Sequence, residues 1–237
     1  MMLKLGLPSK GRLQKDAIDW FDRIGVTVAR TGSDREYAGE VTGIDGVELV
    51  LLSASEIPRE LAAGRIHLGV TGEDLIREKL ADWAKVTPVV AQMGFGFADL
   101  IIAVPEGWAD VRDLHDLDDA AAQFRARHGH RMRVATKYHN LVRGFLSTQG
   151  VADFEIVDSQ GATEGTVKNQ TAELIADITS SGATLEANAL RVLDGASILK
   201  SQATLFAGRN APWDARTRGV LAELCTRIGV DDPLAKE

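Results

Sequence analysis

The sequence has a single cysteine, Cys225. One thiol cannot build a disulfide framework or a thiolate metal cluster, and it suits a reducing, cytosolic home. Nothing approaches the roughly 18 consecutive apolar residues of a membrane span. The opening stretch MMLKLGLPSKGRL is too short in its apolar part for a secretory signal. Cations are outnumbered, with 27 Lys and Arg against 34 Asp and Glu, for a formal charge of −7. That balance argues against general binding to nucleic acid or anionic membranes, while a local cationic pocket stays open. The five histidines, His67, His115, His128, His130 and His139, show no metal-ligand spacing. His128 and His130 read as solvated. No Ser-His-Asp or Cys-His arrangement, internal repeat, low-complexity tract or long linker is evident.

What is present is an alternation of apolar runs and helical patterns. Strands are expected at residues 3–7, 47–52, 66–70, 100–104, 133–136, 154–157, 174–178 and 203–207. A helical stripe runs through Leu13, Ala17, Trp20, Phe21 and Ile24 and stops at Gly25. Ser53 and Glu56 form a candidate capping box before Pro58. Further helices are expected from Glu73, over residues 110–127, from Asn140 as a cap to Gly150, and along Leu221, Leu224, Cys225 and Ile228 to Gly229, which places Cys225 in a core. The pattern predicts α/β architecture with mostly parallel sheets. The strands are too many for one compact sheet, so two lobes are expected: 1–96 with 193–237, and 97–192. The glycines Gly94 and Gly96 mark one crossing, and residues 190–196 the return.

The stretch LIADITSSGATLEANAL, residues 174–190, reads as a strand, a loop of small residues and a helix-like segment. Unpaired N–H groups at a helix start attract anions, and Ser180, Ser181, Gly182, Ala183 and Thr184 leave room for a phosphate to reach them. Asp177, at the strand end, would repel that phosphate but can accept hydrogen bonds from sugar hydroxyls or hold a ligand-bound metal. Phosphate plus diol outlines a ribose 5-phosphate. An ordinary βα turn with an N-cap serine has the same composition. Ser9, Lys10, Gly11 and Arg12 follow a strand and open a helix, as a polyphosphate site or a solvated basic turn; the spacing is not that of a P-loop. Gly72 with Glu73 and Asp74 forms a strand-end turn. Lys137 can meet a phosphate, and Tyr138 can pack on a base or fill the core. Glu164 can bind ribose hydroxyls or Mg²⁺, or merely start a helix. Arg30 and Arg35 are further candidate phosphate contacts.

Several ordered segments resemble one family. DITSSGATLEAN is similar to the phosphoribosyl-diphosphate (PRPP) loop of the ATP phosphoribosyltransferases, which open histidine biosynthesis. LGLPSKGRL, EIPRELAAGRIHLGVTGEDLI, RVATKYHNL and GATEGTV resemble further signatures of that family, so the likeness spans nearly the whole chain. Departures are Ser53 where many members carry Arg, Glu56 for Asp, His67 for Asp, His139 for Pro, and Gly165–Thr166 for Ala-Pro. Arg59 is a candidate substitute for the absent arginine.

The resemblance implies two lobes like type II periplasmic binding proteins, with the active site in the cleft between them. It implies Mg²⁺-dependent condensation of ATP with PRPP: adenine N1 attacks ribose C1 and diphosphate leaves. Under it, Ser180 to Thr184 take the 5-phosphate, Asp177 and Glu164 the ribose hydroxyls or metal-bound oxygens, and Lys10 and Arg12 the polyphosphate, with Ser9, Gly11, Gly72 and Lys137 lining the site. No side chain is assigned as a metal ligand and none stands out as a general base. The chain length resembles short-form members. These imply a catalytic subunit, a homodimer within a hetero-oligomer, paired with a histidyl-tRNA-synthetase-like regulatory subunit. Two rival readings are a ligand-binding module on the same fold and a different phosphoribosyltransferase. The common type of the latter carries two adjacent acids where this chain has Asp177 and Ile178.

Overall fold

The computed structural model describes residues 1–30 and 39–235. They form two compact units, Met1–Phe97 with Gln202–Glu237, and Ala98–Ser201. The chain leaves the first unit beside the glycine pair Gly94 and Gly96, but returns at residue 202 and not at 193. The cause is a twelve-residue strand, Leu190–Ser201, whose register shifts between Val192 and Ser197. Asp194 and Gly195 sit at that irregularity and mask the strand pattern in the sequence.

The first unit begins β1 (Leu3–Pro8), α1 (Gly11–Arg23), β2 (Thr27–Arg30), β3 (Gly39–Thr42), β4 (Val47–Leu52), α2 (Ile57–Ala62), β5 (Leu68–Gly72), α3 (Glu73–Lys79), α4 (Trp83–Val86) and β6 (Val89–Gln92). The second contains β7 (Ala98–Pro105), α5 (Leu114–His128), β8 (Met132–Thr136), α6 (His139–Thr148), β9 (Phe154–Asp158), α7 (Gly165–Lys168), β10 (Leu174–Thr179), α8 (Ala183–Ala187) and β11 (Leu190–Ser201). The chain then adds β12 (Ala203–Ala207) and α9 (Ala215–Ile228) to the first.

The first sheet has the order β4-β1-β5-β12-β6, and the second β11-β7-β10-β8-β9. Each contains three adjacent parallel strands, β4-β1-β5 and β10-β8-β9, completed by antiparallel neighbours. The apolar runs of β1 and β12 are buried because helices cover both faces of the first sheet. Ala17 and Phe21 of α1 and Leu221, Leu224 and Cys225 of α9 pack on one face with β1, β12 and β5. Ile57, Leu61 and Ile76 pack with Phe206 on the other. Cys225 is 3% exposed, and burial pushes its thiol up to about 11, so it is a core residue without thiolate chemistry.

Some local expectations shift. The strand expected from Ile66 starts at Leu68, and α5 starts at Leu114 because Asp113 caps it, accepting from the amides of His115 and Asp116. Asn140 lies inside α6 and does not cap it; the N-cap position is Tyr138. The Ser53–Glu56 box is half made. The Glu56 carboxylate accepts from the Ser53 amide at 2.9 Å and hydroxyl at 2.7 Å, but the Glu56 amide donates to the Ser53 carbonyl. The two Ser53 bonds hold the Glu56 carboxyl below its ordinary 4.5. The β2–β3 pair and β6 are strands of four residues each, too short to stand out in the sequence.

His67 is 1% exposed and braces three segments. Its Nδ1 accepts from the Lys4 amide at 3.0 Å, so Nε2–H faces the Pro212 carbonyl at 3.4 Å, and the ring meets Trp213 edge-on at 4.9 Å. Burial pushes its pKa below the ordinary 6.5. The unfolded chain therefore takes up this proton first as pH falls. Stability from His67 is complete above pH 6.5 and is lost as pH drops from there through the lower folded value. Urea midpoints at pH 7.5 and 5.5 check this: the wild type should lose more between the two than His67→Leu. An equal loss in both would sink the assignment.

Candidate functional site

In the second unit the carboxyl ends of three parallel strands gather the expected residues. β8 and β9 run in register to Thr136 beside Asp158, and Ala135 lies opposite Ile175 of β10. Lys137 thus follows β8 next to Asp177, with Nζ 3.5 Å from Oδ1. The Asp177 side chain is 13% exposed and that of Lys137 35%. Asp177 Oδ1 also accepts from the Ile178 amide at 2.8 Å, which fixes its rotamer. Tyr138 is buried, so it fills the core, and Lys137 Nζ lies 5.2 Å from its ring centroid. Carboxyl ends of parallel strands are where open α/β sheets bind ligands, because helix starts and loops converge there.

After Asp177 the chain forms the expected small-residue loop. Ser180, Ser181, Ala183 and Thr184 are exposed. The amides of Ser180 and Ser181 have no acceptor among the described residues. Gly182 takes φ +76°, which a side chain would strain. Its amide donates to Thr179 Oγ1 at 3.0 Å, and that of Ala183 to Ser181 Oγ at 3.4 Å. The helix that follows, α8, has five residues. Its macrodipole is small, so any attraction for an anion here would come from local N–H groups and not from a long helix. Thr179 was not singled out from sequence; the signal was a hydroxyl on the last strand residue before a glycine turn.

Glu164 is half-buried at the N-cap position of α7, on the segment leaving the carboxyl end of β9. It stands at the same end of the sheet as Asp177. His139, at the family's frequent proline, ties β8 to β9: its Nε2 lies 2.9 Å from Asp158 Oδ1 and 3.1 Å from the Thr136 carbonyl. His128 and His130 are exposed as expected, but both rings pack on Phe124, at 4.4 and 5.2 Å.

In the first unit the carboxyl ends of β4, β1 and β5 gather a second set. Ser9 continues β1, its amide on the Leu52 carbonyl at 2.7 Å. Lys10 is the N-cap of α1 and supplies no side-chain cap, Gly11 takes φ +84°, and Lys10, Gly11 and Arg12 are exposed. Uncapped N–H groups of a thirteen-residue helix, flanked by two cations, have the chemistry to attract an anion. Gly72 ends the neighbouring β5. Glu73 after it is buried and spoken for: its carboxylate accepts from Arg77 at 3.1 Å, Gln92 at 2.9 Å and Thr204 at 3.3 Å. That makes Glu73 a brace for the β5–α3 turn. Arg59 pairs with Glu60 at 3.2 Å and is 69% exposed, beside a cavity of about 570 Å³ lined also by Ser55, Glu56 and Lys79. Arg35 and the side chain of Arg30 lie outside the described residues.

Among the described residues no helix is long and apolar enough to cross a membrane. The profile of a family described as HisG, ATP phosphoribosyltransferase, matches residues 53–229. An ATP phosphoribosyltransferase of Cereibacter sphaeroides is 63% identical over 235 residues, covering 99% of both chains. One from Rhodopseudomonas palustris (strain BisA53) is 55% identical over 214 residues, covering 90% of this chain and 66% of the relative. Among solved structures, a chain of the ATP phosphoribosyl transferase (HisG:HisZ) complex of Thermotoga maritima superposes with a TM-score of 0.73 at 21% identity, over 96% of each chain. An extracellular-binding protein of a probable amino-acid ABC transporter from Bacillus subtilis gives 0.53 at 13% identity, over 97% of this chain and 92% of that one. Both structural matches speak for a shared fold, the second for one common to periplasmic-type binding proteins.

Proposed function

The chain belongs to the ATP phosphoribosyltransferase family, glycosyltransferases of histidine biosynthesis, and from that premise we propose that it joins ATP to PRPP as a catalytic subunit. The single observation that carries the residue assignments is the meeting of Lys137 and Asp177 at the strand ends beside the Ser180–Thr184 loop. The loop takes the 5-phosphate on the amides of Ser180 and Ser181 and on its hydroxyls. Asp177, fixed by the Ile178 amide, accepts from ribose hydroxyls, with Glu164 as a second acceptor. Lys137 balances the Asp177 charge and faces the incoming phosphate. Lys10 and Arg12 hold polyphosphate over the uncapped start of α1, with Ser9, Gly11 and Gly72 keeping the approach open.

In the reaction adenine N1 forms a bond to ribose C1 as the C1–O bond to diphosphate breaks. The electron pair leaves on diphosphate, and positive charge spreads over the sugar ring. Alignment and electrostatics then account for the rate, with no side chain required as a base. Mg²⁺ suits this donor set as an ion bound chiefly through substrate oxygens, since Asp177 and Glu164 offer hard carboxylate oxygens; bound there it would neutralise the leaving diphosphate. The likeness to a chain solved in a HisG:HisZ complex supports a separate regulatory subunit, resembling histidyl-tRNA synthetase, in a hetero-oligomer. A cytoplasmic setting follows from the same reading.

The test is direct. The purified chain with ATP, PRPP and Mg²⁺ should yield N1-(5-phosphoribosyl)-ATP, more of it when the regulatory subunit is added. Other bases in place of ATP should give none. Binding of both substrates without turnover in the complete complex would move the protein to the ligand-binding class.

A further inference from the structure

The stretch from Asp158 to Glu164 is held at many points. The Ser159 amide donates to the Thr136 carbonyl at 3.1 Å, and Gln160 Nε2 to Asp158 Oδ1 at 2.7 Å. The Ser159 and Thr163 hydroxyls meet at 3.1 Å, and both residues are buried. Further on, the Gly165 amide donates to the Ala162 carbonyl at 2.9 Å and the Thr166 hydroxyl to that of Thr163 at 2.6 Å. Ala162 takes φ +49°, a left-handed conformation that a residue with a side chain adopts where its surroundings impose it. This over-determined turn delivers Glu164, two residues on.

His139 grips the root of the same stretch. Its Nε2 faces two acceptors, Asp158 Oδ1 at 2.9 Å and the Thr136 carbonyl at 3.1 Å. An N–H is what can face both, so the ring donates there. It fastens the last residue of β9 to the last residue of β8. The helix start does not require it. His139 is the first residue of α6, where the amide has no partner within a helix and proline fits well. Tyr138 before it, at ψ 62°, already lies outside the helical region that proline denies its predecessor. The family's frequent proline would therefore open the same helix and leave Asp158 without this donor. The side chains of His139 and Asp158 are 38% and 53% exposed, so the tie adds little to stability. What it changes is where the 158–164 stretch begins.

We propose that His139 is a positioning residue for Glu164: through Asp158 it sets the stretch that carries Glu164 to the PRPP ribose. It rests on the reading of Glu164 as an acceptor for ribose hydroxyls. In this chain a side-chain donor reaching across two strand ends takes on an aiming task that a proline at the helix start cannot perform.

Steady-state kinetics with the regulatory subunit present, and a melt of each variant, test this. His139→Pro keeps the helix start and removes the donor. It should raise KM for PRPP about fivefold, the upper range for a pair this open to water, and leave KM for ATP and Tm as they are. His139→Gln sets an amide N–H near the place of Nε2 and should restore the wild-type KM. In the double variant His139→Pro with Glu164→Ala, KM for PRPP should match that of Glu164→Ala alone, because the residue through which His139 acts is gone. An unchanged KM for PRPP in His139→Pro overturns the proposal. So does a glutamine variant no better than the proline one, or effects that add in full in the double variant. A rise in both KM values together with a fall in Tm also overturns it and makes His139 a structural tie. Glu164→Ala alone separates the two levels. If it raises KM for PRPP while His139→Pro does not, Glu164 keeps its role and the His139 inference alone fails. If Glu164→Ala leaves KM for PRPP unchanged, the reading of Glu164 falls, and this inference with it.

Discussion

Replacing Asp177 by asparagine should lower kcat/KM for PRPP by about two orders of magnitude, or about 2.7 kcal/mol of transition-state stabilisation. Asparagine fills the same space and can still accept the Ile178 amide. It loses the charge, and an NH₂ replaces one acceptor oxygen. A hydroxyl that donated to that oxygen meets a donor instead, and a hydrogen bond to a charged group is worth roughly 1.5–3 kcal/mol. Misplacement of the ribose by a fraction of an ångström adds to the loss. The fold should hardly register the change. Lys137 lies 3.5 Å from Asp177 with a side chain 35% exposed, and pairs open to water to this degree contribute about 0–1 kcal/mol. Steady-state kinetics with a matching thermal melt decides the matter. A kcat/KM within about threefold of wild type would remove Asp177 from the ribose.

The second large effect is on stability. Gly64→Ala should cost upwards of about 3 kcal/mol, a fall in Tm of about 6–12 °C for a chain of this size. Gly64 ends α2 at φ +70°, with its amide on the Leu61 carbonyl and the Arg65 amide on the Glu60 carbonyl. This is the paired-bond helix stop that calls for a left-handed residue. Alanine is strained there by roughly 1–2 kcal/mol before any contact is counted. A Cβ would also lie 2.3 Å from the Asn210 carbonyl oxygen and 2.7 Å from its carbon, which are main-chain atoms. The segment between β12 and α9 would have to move, and Asn210 Nδ2, bonded to the Ala62 carbonyl at 2.8 Å, would move with it. A melt within about 2 °C of wild type would show that the turn adapts.

The two cases differ in what the sequence could reveal. Strands β1, β10 and β12 were legible because burial on both faces makes their residues apolar in succession; β4 was legible because it is apolar but for Glu48, although as an edge strand it buries only Val47 and Leu51. β11 was not, because a bulged strand carrying Asp194 and Gly195 has neither a run nor an alternation. Helix stops at Gly25 and Gly229 were legible through glycine after a stripe. The cap of α5 was missed because the acids at Asp110, Asp113 and Asp116 are interchangeable in composition, and the backbone at Asp113 decides among them. At the site, Lys137, Asp177 and the Ser180–Thr184 loop could be named from motifs, yet the ion pair between residues forty positions apart depends on β8 and β10 being neighbours. The bracing of Glu73 by Gln92 and Thr204 is equally non-local. Resemblance supplied the motifs' chemistry, while strand order supplied their company.

The Thr179 and Ser181 hydroxyls give the glycine loop a character of its own. They sit on the amides of Gly182 and Ala183. A phosphate bound as proposed to the Ser180 and Ser181 amides would reach those of Gly182 and Ala183 only as a replacement for occupants tethered to the same loop. Tethered rivals act at high local concentration, so they moderate affinity and hasten release. They also keep the loop in shape between visits, which spares the ligand the work of ordering it. If the loop takes a phosphate as proposed, it is suited to exchange: firm enough to be recognised at each turnover, loose enough to let a phosphorylated product go.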